Sequence, residues 1–142
     1  MRRLWIAALL LSSLAVVVYA WADSSNLALT PITSTAYEPY HIFKTYAGSV
    51  AQIAVESKYS TGPTWLQVFN ATSIGGVTGL TPLICIPIPP ANVSSDSFGG
   101  RMFSPAANYY FNVGIVAVLS TTNCATGYTS AGNTGWFDAT IQ

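Results

Sequence analysis

The stretch TWLQVFNAT, residues 64–72, sets Trp65, Gln67 and Phe69 on one side of an extended backbone and Leu66, Val68 and Asn70 on the other. Because side chains alternate faces along a strand, both faces carry two apolar groups, and the spacing predicts a central strand buried on both sides. The same theme recurs from Tyr40 onward. Runs rich in Val, Ile, Thr, Tyr, Phe and Trp are each followed by a cluster of Gly, Pro, Ser and Asn, the pattern of short strands joined by turns. Beyond the first 22 residues no segment sustains the i, i+3, i+4, i+7 spacing of an amphipathic helix. The expected fold is all-β: one antiparallel β-sandwich of about seven or eight strands, with a jelly roll as the variant to look for.

The other runs place the remaining strands. SVAQIAVES puts Ala51, Ile53 and Val55 on one face and Gln52, Ala54 and Glu56 on the other, a half-buried strand by its period of two. KYSTGPT supplies the next turn, with Gly62 free to take positive φ and Pro63 restarting the chain. In LICIPI, Pro87 has no N–H to give a ladder, which predicts an edge strand or a bulge, and Pro89-Pro90 ends the run. SFGGRMF reads as a short strand with a bend or bulge at Gly99-Gly100. YYFNVGIVAVL reads as one long strand with Tyr109, Phe111, Val113, Ile115 and Ala117 on a shared face. WFDATIQ closes the domain with Phe137, Ala139 and Ile141 facing inward. Residues 23–39 show no sustained period and read as an extended lead-in, so the sandwich is expected over residues 40–142.

The chain opens MRRLWIAALLLSSLAVVVYAWADSS: two arginines, an apolar run over residues 4–22, then small residues. That is the pattern of a secretory signal peptide over residues 1–22, with cleavage after Ala20 or after Ala22. The run, as a helix of about 18 to 20 residues, is also long enough to remain as a membrane anchor. Past the leader about 120 residues remain, enough for one core and too few for two. They carry Lys44, Lys58 and Arg101 against Asp23, Glu38, Glu56, Asp96 and Asp138. With no basic patch, phosphate neutralisation cannot drive nucleic-acid binding. Only 7% of residues are charged, against about a quarter in ordinary soluble domains. So weakly charged a surface suits a protein that ends in an assembly or on a cell exterior. Both cysteines lie past the leader, and export would place them where disulfides persist. A Cys85–Cys124 bridge would close a loop of nearly 40 residues, for which chain entropy predicts about 4 kcal/mol; two buried free thiols are the alternative.

Chemistry-bearing patterns are sparse. His41 is the only histidine, with Glu38 three residues upstream and no G-x-S-x-G elbow anywhere, so it reads as a strand or loop histidine rather than a catalytic base. One histidine, two cysteines and five carboxylates contain no recognised metal spacing. SIGGVTG lacks the lysine of a phosphate loop, and Gly75, Gly76 and Gly79 read as turn glycines. No cofactor and no catalytic residue is expected. Paired carboxylates for glycoside chemistry would have to be assembled in space from Glu38, Glu56, Asp96 or Asp138. The positive signal is aromatic: Trp65, Trp136, Tyr109, Tyr110, Tyr128 and Phe103 offer a platform for sugar rings or for a partner's surface, or else serve as core. Asn70-Ala-Thr and Asn92-Val-Ser fit the N-glycosylation pattern.

Taken in order, AGSVAQIAVES, WLQVFNATS, LTPLICIPIPP, FGGRMFSPAANYYFNVG and STTNCATG resemble a family of small β-sandwich proteins from the structural modules of tailed bacteriophages and prophages. The resemblance spans roughly residues 46–127 and rests on packing and turn residues. It implies a non-enzymatic virion component that decorates a capsid or forms part of a tail, works through protein partners or self-assembly, and has no catalytic residues to carry over. The leader departs from that pattern, since virion proteins are ordinarily assembled in the cytoplasm. An exported surface or periplasmic role is the expectation it adds, with a glycan-binding or adhesin-like module as the alternative and with the membrane engaged only through an uncleaved leader.

Overall fold

The computed structural model describes residues 28–91, 99–124 and 128–142. The leader, its cleavage sites, the Asn92 sequon and Asp96 lie outside them. The described residues form nine strands: β1 (Thr30–Thr33), β2 (Tyr40–Lys44), β3 (Gly48–Ser57), β4 (Thr64–Asn70), β5 (Ile84–Ile88), β6 (Gly99–Phe103), β7 (Tyr109–Phe111), β8 (Ile115–Ser120) and β9 (Gly135–Ile141). A first sheet runs β1-β9-β3-β6, with β7 beside β6 along the same edge of β3, and a second runs β2-β8-β4-β5. Every pairing is antiparallel.

The order has a simple logic. The innermost hairpin, β4 with β5, lies in the second sheet. Next outward in the chain, β3 with β6 and β7 lies in the first, β2 with β8 in the second, and β1 with β9 in the first. A nested hairpin has thus been wound so that successive pairs alternate sheets, which is the double Greek key of a jelly roll. The sandwich expected from the period-two runs is present. It starts earlier than expected, because the lead-in contributes β1. Pro31 is tolerated there because β1 is an edge strand, and Ile32 turns inward onto the core.

Between the sheets Phe43, Val50, Ile53, Leu66, Val68, Phe111, Ile115, Leu119, Phe137 and Ile141 pack as one cluster. Each such side chain contributes roughly 1.5–3 kcal/mol by leaving water. Phe137, Ala139 and Ile141 face it as their alternation predicts, and Leu66 and Val68 do so from β4, between β8 and β5. β5 lies at the edge of its sheet, with Pro87 opposite Trp65, so the proline marks an edge rather than a bulge. On β3 the expected face is offset. An irregularity between Val50 and Gln52 puts Val50, not Ala51, in the core with Ile53 and Val55.

The largest difference concerns residues 109–119. They form two strands in different sheets, β7 on β3 and β8 between β2 and β4, joined by residues 112–114. Gly114 makes the crossing possible: a Cβ there would lie 2.5 Å from the Ala71 carbonyl oxygen and 2.9 Å from that of Lys44. Asn70 holds the corner, its Oδ1 accepting from the Val113 N–H (2.9 Å) and the Gly114 N–H (3.4 Å) while its amide donates to Asn112 Oδ1. Gly62 does not use the left-handed region; Gly79 and Gly132, at φ of 77° and 76°, do. Gly99 and Gly100 pair in regular register with Ser57 and Glu56 rather than forming a bulge.

The winding sorts the connections between two ends. The chain enters at Ala28 and leaves at Gln142 at one end, which also carries the 45–47 turn, the 112–114 crossing and the base of the 71–83 connection. Connections 34–39, 58–63 and 121–134, and the start of the segment after β5, belong to the opposite end.

Candidate functional site

The two outer faces differ, and the residues of β4 and β5 show why. With Leu66 and Val68 inward, Trp65, Gln67 and Phe69 must point outward. Phe69 joins Ala71, Val77, Val116 and Val118 in a second apolar cluster on the outside of the second sheet, where Tyr40, Ile42, Ile74 and Tyr128 pack against it. This accounts for β8, IVAVLS, being buried on both faces. The roof over that cluster is the protein's own chain. Residues 71–83 fold over it with a 3-10 turn at Ile74–Val77, and the 121–134 connection brings Tyr128.

Cys85 also points outward, opposite Gln67, and its disulfide to Cys124 ties the second roof segment to the sheet; the Cα atoms are 6.2 Å apart, within the usual span of a bridge. Gln67 is fully buried beneath this roof. Its Nε2 donates to the Thr122 carbonyl at 3.0 Å, while Oε1 has no hydrogen-bond partner among the described residues. A groove of about 300 Å³ remains where the roof segments meet, between Thr78–Thr81, Cys124 and Tyr128.

The first sheet has no such cover among the described residues. Its outward rows run Trp136–Glu56–Gly100, then Thr33–Asp138–Ala54–Met102, then Pro31–Thr140–Gln52. Met102 and Tyr110 are about two-thirds exposed, at 65% and 64%, and Gln52 donates to the Met102 sulfur. At the end of the sheet opposite the termini, Trp136 meets Tyr37 edge-on with centroids 5.6 Å apart, and the Lys58 ammonium lies 3.4 Å above the Tyr37 ring. Burial first, and the Glu56 carboxylate second, hold the Tyr37 phenol above its ordinary range, so it stays neutral and able to donate a hydrogen bond well into alkaline solution.

The six aromatic candidates therefore do not share one platform. Trp65 faces out from the second sheet beside Pro87, Trp136 faces out from the first, and Tyr128 is spent on the roof. Phe103 packs against the main core. Tyr109 turns toward Phe111, with centroids 6.1 Å apart, and Tyr110 lies on the open face. Period-two alternation sorts residues within a strand, but only the sheet assignments reveal that Trp65 and Trp136 sit on opposite sides of the sandwich.

A polar chain that sequence reasoning missed lies at the β1–β2 corner. The Phe137 N–H donates to Ser34 Oγ (3.0 Å), Ser34 donates to Glu38 Oε1 (2.7 Å), and His41 Nδ1 lies 2.6 Å from the same oxygen. In a nucleophile triad the histidine stands between hydroxyl and acid; here the carboxylate stands in the middle, and Ser34 is only 2% exposed. His41 therefore cannot take the Ser34 proton in this arrangement, and the chain acts as a clamp joining β1 and β2 to β9. Ser34→Ala is expected to cost about 1–3 kcal/mol, because it leaves the buried Phe137 N–H unpaired. Glu38→Gln keeps that bond and should cost roughly 1 kcal/mol or less at this half-exposed site. Urea denaturation of both variants checks the order.

No group of three or more His, Cys, Asp or Glu side chains able to hold a metal occurs among the described residues. Within the same residues no helix is long and apolar enough to cross a membrane. Comparison with protein-family models, curated proteins and solved structures returned no match for this chain.

Proposed function

We propose that this chain is an exported, non-enzymatic structural or interaction protein, of the kind that decorates a capsid or builds part of a tail in the phage proteins its sequence resembles. The observation that carries the reading is the inequality of the two faces. The outside of one sheet is roofed by its own loops and stapled by a disulfide, whereas the other, among the described residues, presents an uncovered surface of small, polar and sulfur-bearing side chains crossed by a Thr33–Asp138–Ala54–Met102 row. A flat face with few charges to desolvate suits contact with another protein surface. Pro31 and Pro87 blunt two sheet edges and discourage edge-to-edge pairing. The edges formed by β2 and by β6 with β7 carry no such proline, so the reading rests on the uncovered face rather than on the edges.

Native mass spectrometry and electron microscopy of the purified full chain test this reading. Regular multimers are expected from the wild type, and Met102→Lys, at a 65% exposed position, should dissociate them without lowering the melting temperature. A wild type that stays monomeric at every accessible concentration, or a multimer indifferent to Met102→Lys, would overturn it.

A second reading, glycan binding, draws on the Tyr37–Trp136 pair with Glu56 and Lys58 beside it, since an aromatic face flanked by polar groups stacks well on a sugar ring. A glycan array separates the two. Binding lost in a folded Trp136→Ala but kept in Trp65→Ala, on the opposite side of the sandwich, would favour the module.

A further inference from the structure

We propose that the end of the sandwich bearing the termini is a membrane-apposed surface, held against lipid headgroups by an uncleaved leader. Exposed large hydrophobic side chains are concentrated there. Of the eight among the described residues, five lie at this end: Leu29 at the chain entry, Tyr46 in the β2–β3 turn, Tyr109 and Tyr110 on β7, and Val113 in the crossing. Leu80 and Leu83 belong to the connection that leaves this end, and Met102 lies farther up the open face, whose lower edge Tyr110 shares. Three of the five are tyrosines, whose apolar body and polar tip suit the interfacial zone of a bilayer.

Charge is distributed to match. Lys44 is the only charged side chain described at this end; it donates to the Gln142 carbonyl and its ammonium lies 4.7 Å from the Tyr46 ring centroid. Glu38 and Glu56 stand toward the opposite end, beside Gly135 and Trp136, and Asp138 lies midway along β9. Approach to a headgroup layer would therefore bury no described Asp or Glu side chain.

The tether fixes the occupant. Residues 4–22 form the apolar run, and only residues 23–27 separate it from Ala28. The step from Ala22 to Ala28 spans at most roughly 22 Å when fully extended. With the run retained across the hydrocarbon core, the Ala28 end cannot stand farther than that from the core's edge, and the headgroup layer fills about 5–7 Å of the gap. Arg2 and Arg3 precede the run, which keeps the leading end cytoplasmic and sends the domain to the far side of the membrane. The loops of the opposite end and the open face then point away from the bilayer or along it, whichever partner they meet.

The test uses the full chain. Intact mass of protein extracted from membranes should include residues 1–22; a chain beginning at residue 21 or 23 overturns the proposal. In nanodiscs of phosphatidylcholine and phosphatidylglycerol holding one chain each, an environment-sensitive dye on Val113→Cys should shift to shorter wavelength. Headgroup-spin-labelled lipid should quench it several-fold more strongly than the same dye on Thr61→Cys in the β3–β4 connection. Equal quenching at the two sites overturns the proposal. So does a Val113 shift that appears only with two chains per disc, which would assign the surface to a second copy. Loss of multimers in Met102→Lys would leave these readouts unchanged, so the failure of one reading is distinguishable from the failure of the other.

Discussion

Replacing Cys85 and Cys124 together by alanine should lower the stability of the domain by about 4 kcal/mol, the chain-entropy value for a loop of this length, in urea denaturation under non-reducing conditions. The loop is long, the cysteines being 39 residues apart in sequence, and it contains β6, β7 and β8. The bridge thus restrains much of the unfolded chain. Its loss also has a local signature. Cys124 anchors the roof over Gln67 and the Phe69–Val116–Val118 cluster, so amide exchange in β5 and in residues 120–124 and 128–134 should accelerate before that of β3 and β9. A loss of less than about 1 kcal/mol would mean that Tyr128 packing alone holds the roof. Two thiols that alkylate in the wild type without prior reduction would show the bridge to be absent.

Among the glycines whose surroundings are described, Gly114→Ala should be the most damaging substitution, at about 3 kcal/mol or more. The added methyl meets two backbone oxygens, of Ala71 and Lys44, and backbone cannot swing aside as the end of a flexible side chain can. Relief requires moving the crossing, which breaks the Asn70 bonds to Val113 and Gly114 and drags β7 and β8 out of register. Gly62→Ala is the matched control: nothing lies within 4 Å of its Cβ position and its φ is not positive, so stability should change by no more than about 0.5 kcal/mol. Thermal melts of both variants check the contrast. A Gly114→Ala protein as stable as the control would refute the crossing as described.

Because Asn70 also heads an Asn-Ala-Thr pattern, the same corner bears on modification. Its amide donates to Asn112 and its oxygen accepts from two backbone N–H groups, which leaves the folded corner a poor glycosylation acceptor.

What was legible in the sequence is what local periodicity can carry. Alternation identified β4 as a strand buried on both sides and the inward residues of β9, the missing N–H of Pro87 narrowed its strand to an edge or a bulge, and a complement of two cysteines allowed one pairing. Along β3 the same rule failed by one residue, because a bulge at Ala51 is a property of pairing with β9 rather than of β3 itself. β1 was hidden because an edge strand of four residues containing a proline has no period to show.

The candidate surface was less legible still. An apolar run such as YYFNVGIVAVL looks the same whether it stays in one sheet or changes sheets, and only the pairing of β7 with β3 and of β8 with β2 and β4 shows that it changes. That change of sheet, with the winding that places β4 and β9 in opposite sheets, separates Trp65 from Trp136 and leaves one face roofed and the other uncovered by described residues. The sequence by itself determined an all-β domain of alternating strands, and that any disulfide would join Cys85 to Cys124, because each follows from neighbours along the chain or from the only pairing available. The tertiary structure alone decided which aromatics share a surface and which end gathers the exposed tyrosines, because those follow from contacts between residues far apart in the chain.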